Sequence, residues 1–308
     1  MRKCKRIREG LALVAMTAVF VLFAGRIGEW SNGFDSKFLV YGQTGGTGGT
    51  GGTGGTGGTV TTTTKVVPHI AFGNFGSLYT TVIQVINTNS TAVTVTGNFY
   101  TQAGTPSTTA YTTNLTGTPT FTGTLSNASV AANSILVISV SGANSPTVFD
   151  GAVNWGKFTT SSNVTISSFY EIREFSGRLL GRVGLASSPA NLKNFVTPRF
   201  RNAVTGSDTG FAIVNTGEAS ANITVTLKDS NGTALAARTA SLAANNQTAQ
   251  FLATFLSGTG CAPCLAPDTG STTRYQYITF TSSSTQFGAI GLGIEGDTSA
   301  SFPVEAIN

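Results

Sequence analysis

The chain has 308 residues, of which 40% are apolar and only 10% are charged, and its formal net charge is +5. Apolar residues in this proportion exclude a wholly disordered chain and suffice for two domains with cores. Much of the basic excess precedes the first apolar run and the rest is scattered, so no nucleic-acid partner is expected.

The first 24 residues have the pattern of an export signal. A basic start is followed by an apolar run at 11–24, which is short for a bilayer-spanning helix of about 20 residues. Cleavage after Ala24 and retention as an N-terminal anchor both stay open, because Leu22 is larger than the residue such cleavage sites prefer. We expect an exported protein, extracellular, at the cell surface or periplasmic. Its membrane contact is limited to 11–24, if that run is uncleaved.

Residues 25–65 are predicted to be a short stub followed by a flexible linker. Residues 44–59 repeat Thr-Gly-Gly and offer almost no apolar side chain for burial. Because glycine loses much conformational entropy on ordering, such a segment favours a flexible tether.

The sequence after the linker is duplicated. Asn87-Thr88 returns 128 positions later as Asn215-Thr216, and each pair is followed by an alternating segment and a glycine. Two further echoes follow in the same order: 129–133 with 241–245, and 158–162 with 280–284. The duplication predicts two domains of ordinary size, 66–190 and 191–308, joined by a hinge at 191–194.

Apolar residues alternate with polar ones throughout this region, which indicates strands with one buried and one wet face. Strands are predicted at 80–86, 93–99, 135–140, 223–227 and 286–294. The first copy has an insertion within 106–127 that predicts an added edge hairpin, and 250–256 is predicted to be a short helix or a bend. The fold class is therefore all-β, with two tandem antiparallel β-sandwich domains.

Three segments of the second copy carry a resemblance to a known class. Asn-Thr-Gly at 215–217, Ile-Thr-Val-Thr-Leu at 223–227 and Asp-Ser-Asn-Gly at 229–232 together resemble immunoglobulin-like modules of exported, mostly uncharacterised bacterial surface proteins. The resemblance covers most of 66–305 and contains no catalytic motif. It implies immunoglobulin-like sandwiches that serve as spacers, adhesive units or accessory binding domains.

Cys261 and Cys264 form a Cys-Ala-Pro-Cys segment inside a loop rich in turn residues. A redox C-x-x-C normally begins a helix, so a small structural disulfide is the favoured interpretation. A zinc site is not expected, because His69 is the only histidine and no second cysteine pair exists.

Exposed aromatic rings on a sandwich could form a platform for a sugar ring, although such rings more often fill cores. The candidates are Trp155, Tyr170, Tyr275 and Tyr277. Trp155 is the strongest of them, because it is the only tryptophan after the linker and lies between Asn154 and Gly156.

No catalytic or cofactor site is predicted. A Ser-His-acid site would have to use His69, which is expected at a strand edge or facing solvent. Glu171 and Glu174 are three positions apart on a strand, so they should face opposite ways as surface charges. The turn at Asp229 offers too few oxygens for calcium.

Six basic residues near the junction of the two copies are expected to form a solvated face between the domains: Arg173, Arg178, Arg182, Lys193, Arg199 and Arg201. The sequence as a whole predicts a non-enzymatic exported structural or interaction protein, which displays tandem sandwiches or adheres at the bacterial cell surface. Its expected partner is a surface glycan or a protein. The alternative is a carbohydrate-binding module of the extracellular matrix or cell envelope, and self-association through edge strands also stays open.

Overall fold

The computed structural model describes residues 62–199, 208–259, 276–295 and 298–307, and this part of the chain is all-β with antiparallel strand pairing. The predicted leader, the stub, the Thr-Gly-Gly tether, Cys261 and Cys264 lie outside these ranges. The first strand begins at Thr63, slightly before the predicted end of the linker at 65.

The first half of the described chain, called the first unit, folds into two layers. Its strands are β1 (Thr63–Asn74), β2 (Leu78–Asn87), β3 (Val93–Thr101), β4 (Ala110–Thr113), β5 (Thr120–Thr122), β6 (Thr124–Val130), β7 (Ser134–Ser141), β8 (Ala152–Thr160), β9 (Thr165–Arg173), β10 (Leu179–Ala186) and β11 (Ser188–Pro189). One layer has the order β6-β3-β8-β1-β11 and the other β5-β4-β7-β2-β9-β10. The last two residues of β1 pair with β2, which joins both layers into one eleven-stranded sheet.

The core of the first unit lies between these layers. In β3, Val93, Val95 and Phe99 are buried while the intervening threonines lie on the other face, because successive strand residues point to opposite sides. Tyr111 from the opposite layer and Phe158 from the neighbouring strand β8 pack against the Phe99 ring. Full burial of each such side chain stabilises the fold by roughly 1.5–3 kcal/mol, so this cluster is a main contribution to stability.

The second unit repeats the arrangement with fewer strands. Its elements are β12 (Asn194–Arg199), β13 (Asp208–Asn215), β14 (Ala221–Asp229), β15 (Ala234–Leu242), β16 (Gln247–Phe251), α1 (Leu252–Phe255), β17 (Gln276–Ser282), β18 (Phe287–Glu295), β19 (Thr298–Phe302) and β20 (Glu305–Ala306). Its layers are β15-β14-β17-β12-β20 and β16-β13-β18-β19. A separate buried cluster that includes Ile223, Val225 and Phe280 lies between them.

The sequence echo corresponds to one repeated pattern of strand pairing. β2 pairs with β7 and β9 as β13 pairs with β16 and β18, and β3 pairs with β6 and β8 as β14 pairs with β15 and β17. Asn87 and Asn215 are buried at the same place in each unit. The Asn87 amide donates to the carbonyls of Thr91, Val130 and Ala131, and the Asn215 amide to those of Ala219, Leu242 and Ala243.

Most of the predicted elements are present. The insertion forms the β4–β5 hairpin, which pairs with β7 at the edge of its layer, and α1 occupies the predicted helix or bend. The predicted hinge at 191–194 is instead anchored. Leu192 is buried and bridges to Phe287, since its side chain belongs to the core of the second unit.

Candidate functional site

The two units meet through an apolar contact, here called the inter-unit interface. Val66 and Trp155 of the first unit pack with Val214 of the second, and all three are fully buried. A neighbouring cluster brings Tyr170 together with Ala212, and it also contains Phe75, Ile172, Val183, Leu185 and Ile290. The contact between the units is thus built from core-like side chains rather than from basic ones. Of the six basic residues expected to form a solvated face, Arg178, Arg182 and Lys193 are exposed and Arg173 is partly exposed, whereas Arg199 is buried. Arg201 lies outside the described residues.

Trp155 is central to the inter-unit interface. Its ring stacks on Tyr100 with centroids 4.7 Å apart, and its indole N–H donates to the Asn245 carbonyl of the second unit at 2.9 Å. A buried indole needs such an acceptor, and here the acceptor comes from the other unit. The ring therefore ties the two units together.

Backbone groups complete the contact. The Gln247 amide N–H donates to the Gln102 carbonyl at 3.0 Å, and the Gln247 side-chain amide donates to the Pro68 carbonyl. Lys157 Nζ donates to the Thr216 carbonyl at 3.2 Å. Because buried polar groups need partners, these bonds fix one orientation of the two units.

The structure corrects the predicted aromatic platform. Trp155 is 0% exposed and Tyr170 is 6% exposed, so neither ring presents a face to a ligand in this structure. Tyr277 is half-buried and lies opposite Lys228 on the neighbouring strand. Tyr275 lies outside the described residues. The four rings do not form a shared platform among the residues that the structure describes.

His69 is buried rather than solvent-facing, which corrects the expectation from sequence. Its Nδ1 forms a hydrogen bond with the Tyr170 hydroxyl, and the two rings meet edge to face. Burial lowers the pKa of His69 to about 4, because desolvation disfavours the charged imidazolium. A base sealed in this way has no access to a substrate in the structure.

The carboxylates of Glu171 and Glu174 are held in separate ion pairs. Glu171 contacts Arg182 at 2.6 Å and Arg173 at 3.1 Å, while Glu174 pairs with Arg178. Partial burial raises the pKa of Glu171, but the hydrogen bonds and charges of the two arginines outweigh burial and hold this pKa below its usual value. Neither carboxyl is kept protonated for general-acid chemistry.

The turn at Asp229, which was judged to offer too few oxygens for calcium, uses one carboxylate oxygen to bind its own backbone. Asp229 Oδ1 accepts the amide N–H groups of Asn231 and Thr233, both at 2.9 Å. Within the described ranges, no group of three or more His, Cys, Asp or Glu side chains could hold a metal ion. The turn thus follows the pattern of an aspartate that satisfies its own backbone.

A loop at 142–151, between β7 and β8, exposes two apolar side chains that sequence reasoning missed. Val148 is 49% exposed and Phe149 is 65% exposed, the two highest values among the large exposed apolar residues described. A sequence signal existed, since these residues interrupt a polar segment rich in turn formers. Their adjacency on one loop marks this tip as a candidate contact surface.

The 142–151 loop is anchored from below. Asn74 is 1% exposed, and its side-chain amide donates to the carbonyls of Ser145 and Val148, each at 2.9 Å. Asp150 accepts the amide N–H groups of Asn74 at 2.8 Å and Ala143 at 2.7 Å, one on each carboxylate oxygen. The apolar tip is therefore held on a fixed base.

Comparison of the chain with protein-family models, with curated proteins and with solved structures finds no match. In the described part of the chain, no helix is long and apolar enough to cross a membrane.

Proposed function

We propose that the chain is a non-enzymatic, exported display or adhesion protein of the bacterial cell surface. Two immunoglobulin-like β-sandwich domains form its working part, and the Thr-Gly-Gly tether holds them away from the envelope. Its partner is a surface glycan or a protein. The apolar leader gives the route of export.

The inter-unit interface is the observation that carries this proposal. Val66, Trp155 and Val214 are fully buried in it, as they would be in a domain core. Units joined by buried apolar side chains and by hydrogen bonds such as that from Trp155 to the Asn245 carbonyl are held in one orientation, so the two sandwiches act as one stiff body. Stiffness along the chain suits a protein that projects a contact surface away from its anchor.

The 142–151 loop supplies the contact surface. Binding residues are commonly carried on loops that a rigid scaffold positions, and a pre-ordered aromatic anchor binds with less entropy loss. Phe149 has this character, because Asn74 and Asp150 fix the loop beneath it.

The display role is tested on intact cells that express the full chain. Antibody against residues 62–308 should label these cells without lysis, and added protease should remove the label. Labelling that requires lysis of the cells would contradict display at the surface.

The adhesive role is tested with beads coated with the full chain. Attachment to bacterial envelopes and matrix should fall severalfold in the Val148→Ser/Phe149→Ser variant. Ile135→Ser is the matched control, because Ile135 is also exposed but lies on β7, away from the loop tip. Equal attachment by all three proteins would remove the loop from the proposal.

The carbohydrate-binding alternative is distinguished in the same assay. Competition by soluble glycans would favour a sugar partner, and loss of attachment after protease treatment of the target would favour a protein. A sugar-binding face would use Phe149 or the half-buried Tyr277, since Trp155 and Tyr170 are covered.

A further inference from the structure

The turn between β14 and β15 contains Asn231-Gly232, the only Asn-Gly pair within the described ranges. Asp229 donates its backbone N–H to the Thr233 carbonyl at 3.0 Å, and Gly232 donates to the Asp229 carbonyl at 3.1 Å. Gly232 has a φ of 84°, in the left-handed region that favours glycine. The shape of the turn therefore explains why a glycine follows Asn231.

The side-chain amide of Asn231 does not hold this turn together. Asp229 Oδ1 accepts the backbone N–H groups of Asn231 and Thr233, so the turn is fixed through the backbone. No described residue is hydrogen-bonded to the Asn231 side chain, and both Asn231 and Gly232 are exposed. Buried Asn87 differs, because its amide makes three hydrogen bonds. The Asn231 amide is therefore left for chemistry rather than for support.

The equivalent turn of the first unit has no asparagine. Ala103 takes the place of Asn231, and Gly104 takes the place of Gly232 with a φ of 78°. A Cβ atom at Gly104 would lie 2.5 Å from Asn246 Oδ1, so this turn lies directly against the second unit. The same backbone shape thus carries an Asn-Gly pair only in the copy at which both residues are exposed.

We propose that Asn231 is a site of spontaneous deamidation, in which the Gly232 backbone nitrogen attacks the Asn231 side-chain carbonyl carbon. The nitrogen gives up its proton and forms a bond to Cγ, while the bond from Cγ to Nδ2 breaks and ammonia leaves. The product is a cyclic imide. Glycine favours the attack because it has no Cβ atom to crowd the nitrogen. Local opening of the exposed turn releases the Gly232 N–H from the Asp229 carbonyl.

Water then opens the imide at either of its two carbonyl carbons. Addition at Cγ breaks the newly formed bond and leaves aspartate with an ordinary backbone. Addition at the Asn231 backbone carbonyl breaks the original peptide bond and leaves isoaspartate, whose main chain is longer by one methylene group. Both products place a new carboxylate beside Asp229, and isoaspartate also displaces Thr233. This inference does not depend on the proposed display function.

The experiment incubates the full chain at neutral and at alkaline pH and follows each asparagine by peptide mass mapping. Asn231 should convert severalfold faster than Asn133, which is also exposed but is followed by Ser134. The rate should rise with pH, because the Gly232 nitrogen loses its proton during the attack. Both aspartate and isoaspartate should form. Mapping separates these products from those of Asn32, the other asparagine that precedes a glycine in the sequence.

Asn231→Gln is the matched control, because it keeps a side-chain amide whose longer chain closes the imide ring much more slowly. It should stay unconverted over the same period. Asn231→Asp supplies the product that has an ordinary backbone. Hydrogen exchange at the Thr233 amide should be faster in the isoaspartate form than in Asn231→Asp, because only isoaspartate moves Thr233 away from Asp229 Oδ1.

Four results would each overturn the proposal. They are an Asn231 that stays an amide while Asn133 converts, equal rates at these two residues, conversion confined to Asn32, and aspartate formed without isoaspartate. Equal exchange at Thr233 in the two products would contradict the displacement that isoaspartate is expected to cause.

Discussion

The same face of the repeated layer is polar in the first unit and apolar in the second. Gln84 and Ser167 of β2 and β9 are partly exposed, whereas Ala212 and Ile290 occupy the equivalent positions in β13 and β18 and are buried. The layer in the second unit is covered by the first unit, while its counterpart faces solvent. One scaffold therefore serves as an internal surface or as an outer one through a few side chains.

The contact depends on close approach as well as on apolar character. Gly288 occupies the position of Thr165 in the repeat, opposite Val214 where Thr165 is opposite Ile86. A Cβ atom at Gly288 would lie 2.2 Å from Val66 Cγ2, so only glycine lets the two units meet. At the exposed Thr165, where no described residue packs over the layer, a β-branched side chain is accommodated.

The opposite side of the contact shows the same difference. Trp155 stacks on Tyr100 beneath the second unit, and the equivalent pair in the second unit is Tyr277 opposite Lys228. The pair in the interface consists of two aromatic rings, whereas the pair formed by Lys228 and Tyr277 is half-buried and carries a charge. The two units therefore differ most at this position, which is part of the inter-unit interface in the first unit and is not part of it in the second.

The largest expected effect is at Trp155. Trp155→Ala should destabilise the protein by about 4 kcal/mol, because it leaves a cavity and an unsatisfied Asn245 carbonyl in the inter-unit interface. Tyr277→Ala, at the uncovered equivalent position, should change stability by less than about 1 kcal/mol. Chemical denaturation followed by circular dichroism measures both, and similar losses would contradict the asymmetry between the units.

The buried asparagines test whether the repeated framework is equally important in both units. Asn87→Ala and Asn215→Ala should each cost about 3 kcal/mol, because each change removes three hydrogen bonds, one of them buried and two partly buried. Hydrogen exchange should show the loss of protection beginning in the unit that carries the change. A large loss in one variant and none in the other would mean that the repeat is structural in only one unit.

His69 makes the first unit sensitive to pH. Its pKa of about 4 in the folded protein is below the ordinary value of 6.5, so the unfolded chain takes up the proton first. Stability should be constant above pH 6.5 and fall by up to about 3 kcal/mol as the pH drops towards 4.

Glutamine at position 69 keeps hydrogen-bonding capacity for Tyr170 without titrating, so His69→Gln should remove this part of the pH dependence. Unfolding midpoints across the same pH range provide the measurement. The arginines around Glu171 lower the pKa of that carboxyl, which keeps its own transition at lower pH. An unchanged pH profile in His69→Gln would assign the effect elsewhere.

The smallest expected effect is at the close approach of the units. Gly288→Ala should destabilise the protein by about 2 kcal/mol, because the new methyl group overlaps Val66. Thr165→Ala, the matched change on the exposed layer, should be nearly neutral. Thermal unfolding of the two variants side by side gives the comparison, and a neutral Gly288→Ala would show that the units can shift apart without loss.

Alternation in the sequence predicted strands that the structure confirms. An apolar residue at every second position marks the face of a strand that is buried in the core of its own unit. Val93 and Val95 are buried as expected, and so are Ile223 and Val225. The 142–151 loop was missed, since its fixed shape comes from Asn74, which is distant in sequence. The exposed aromatic platform at Trp155 was wrong for a similar reason. Its strand pattern is the same whether or not a second unit covers the ring.

The amino-acid sequence by itself determined the all-β class, the duplicated strand order and the inserted hairpin, because these follow from local alternation and turn chemistry. Only the tertiary structure decided that Trp155 and His69 are buried, that the predicted hinge is anchored and that the 142–151 loop is held by Asn74. The physical reason is that burial between units and the anchoring of a loop depend on which surfaces meet. That depends on contacts between residues far apart in the chain, which no local pattern records.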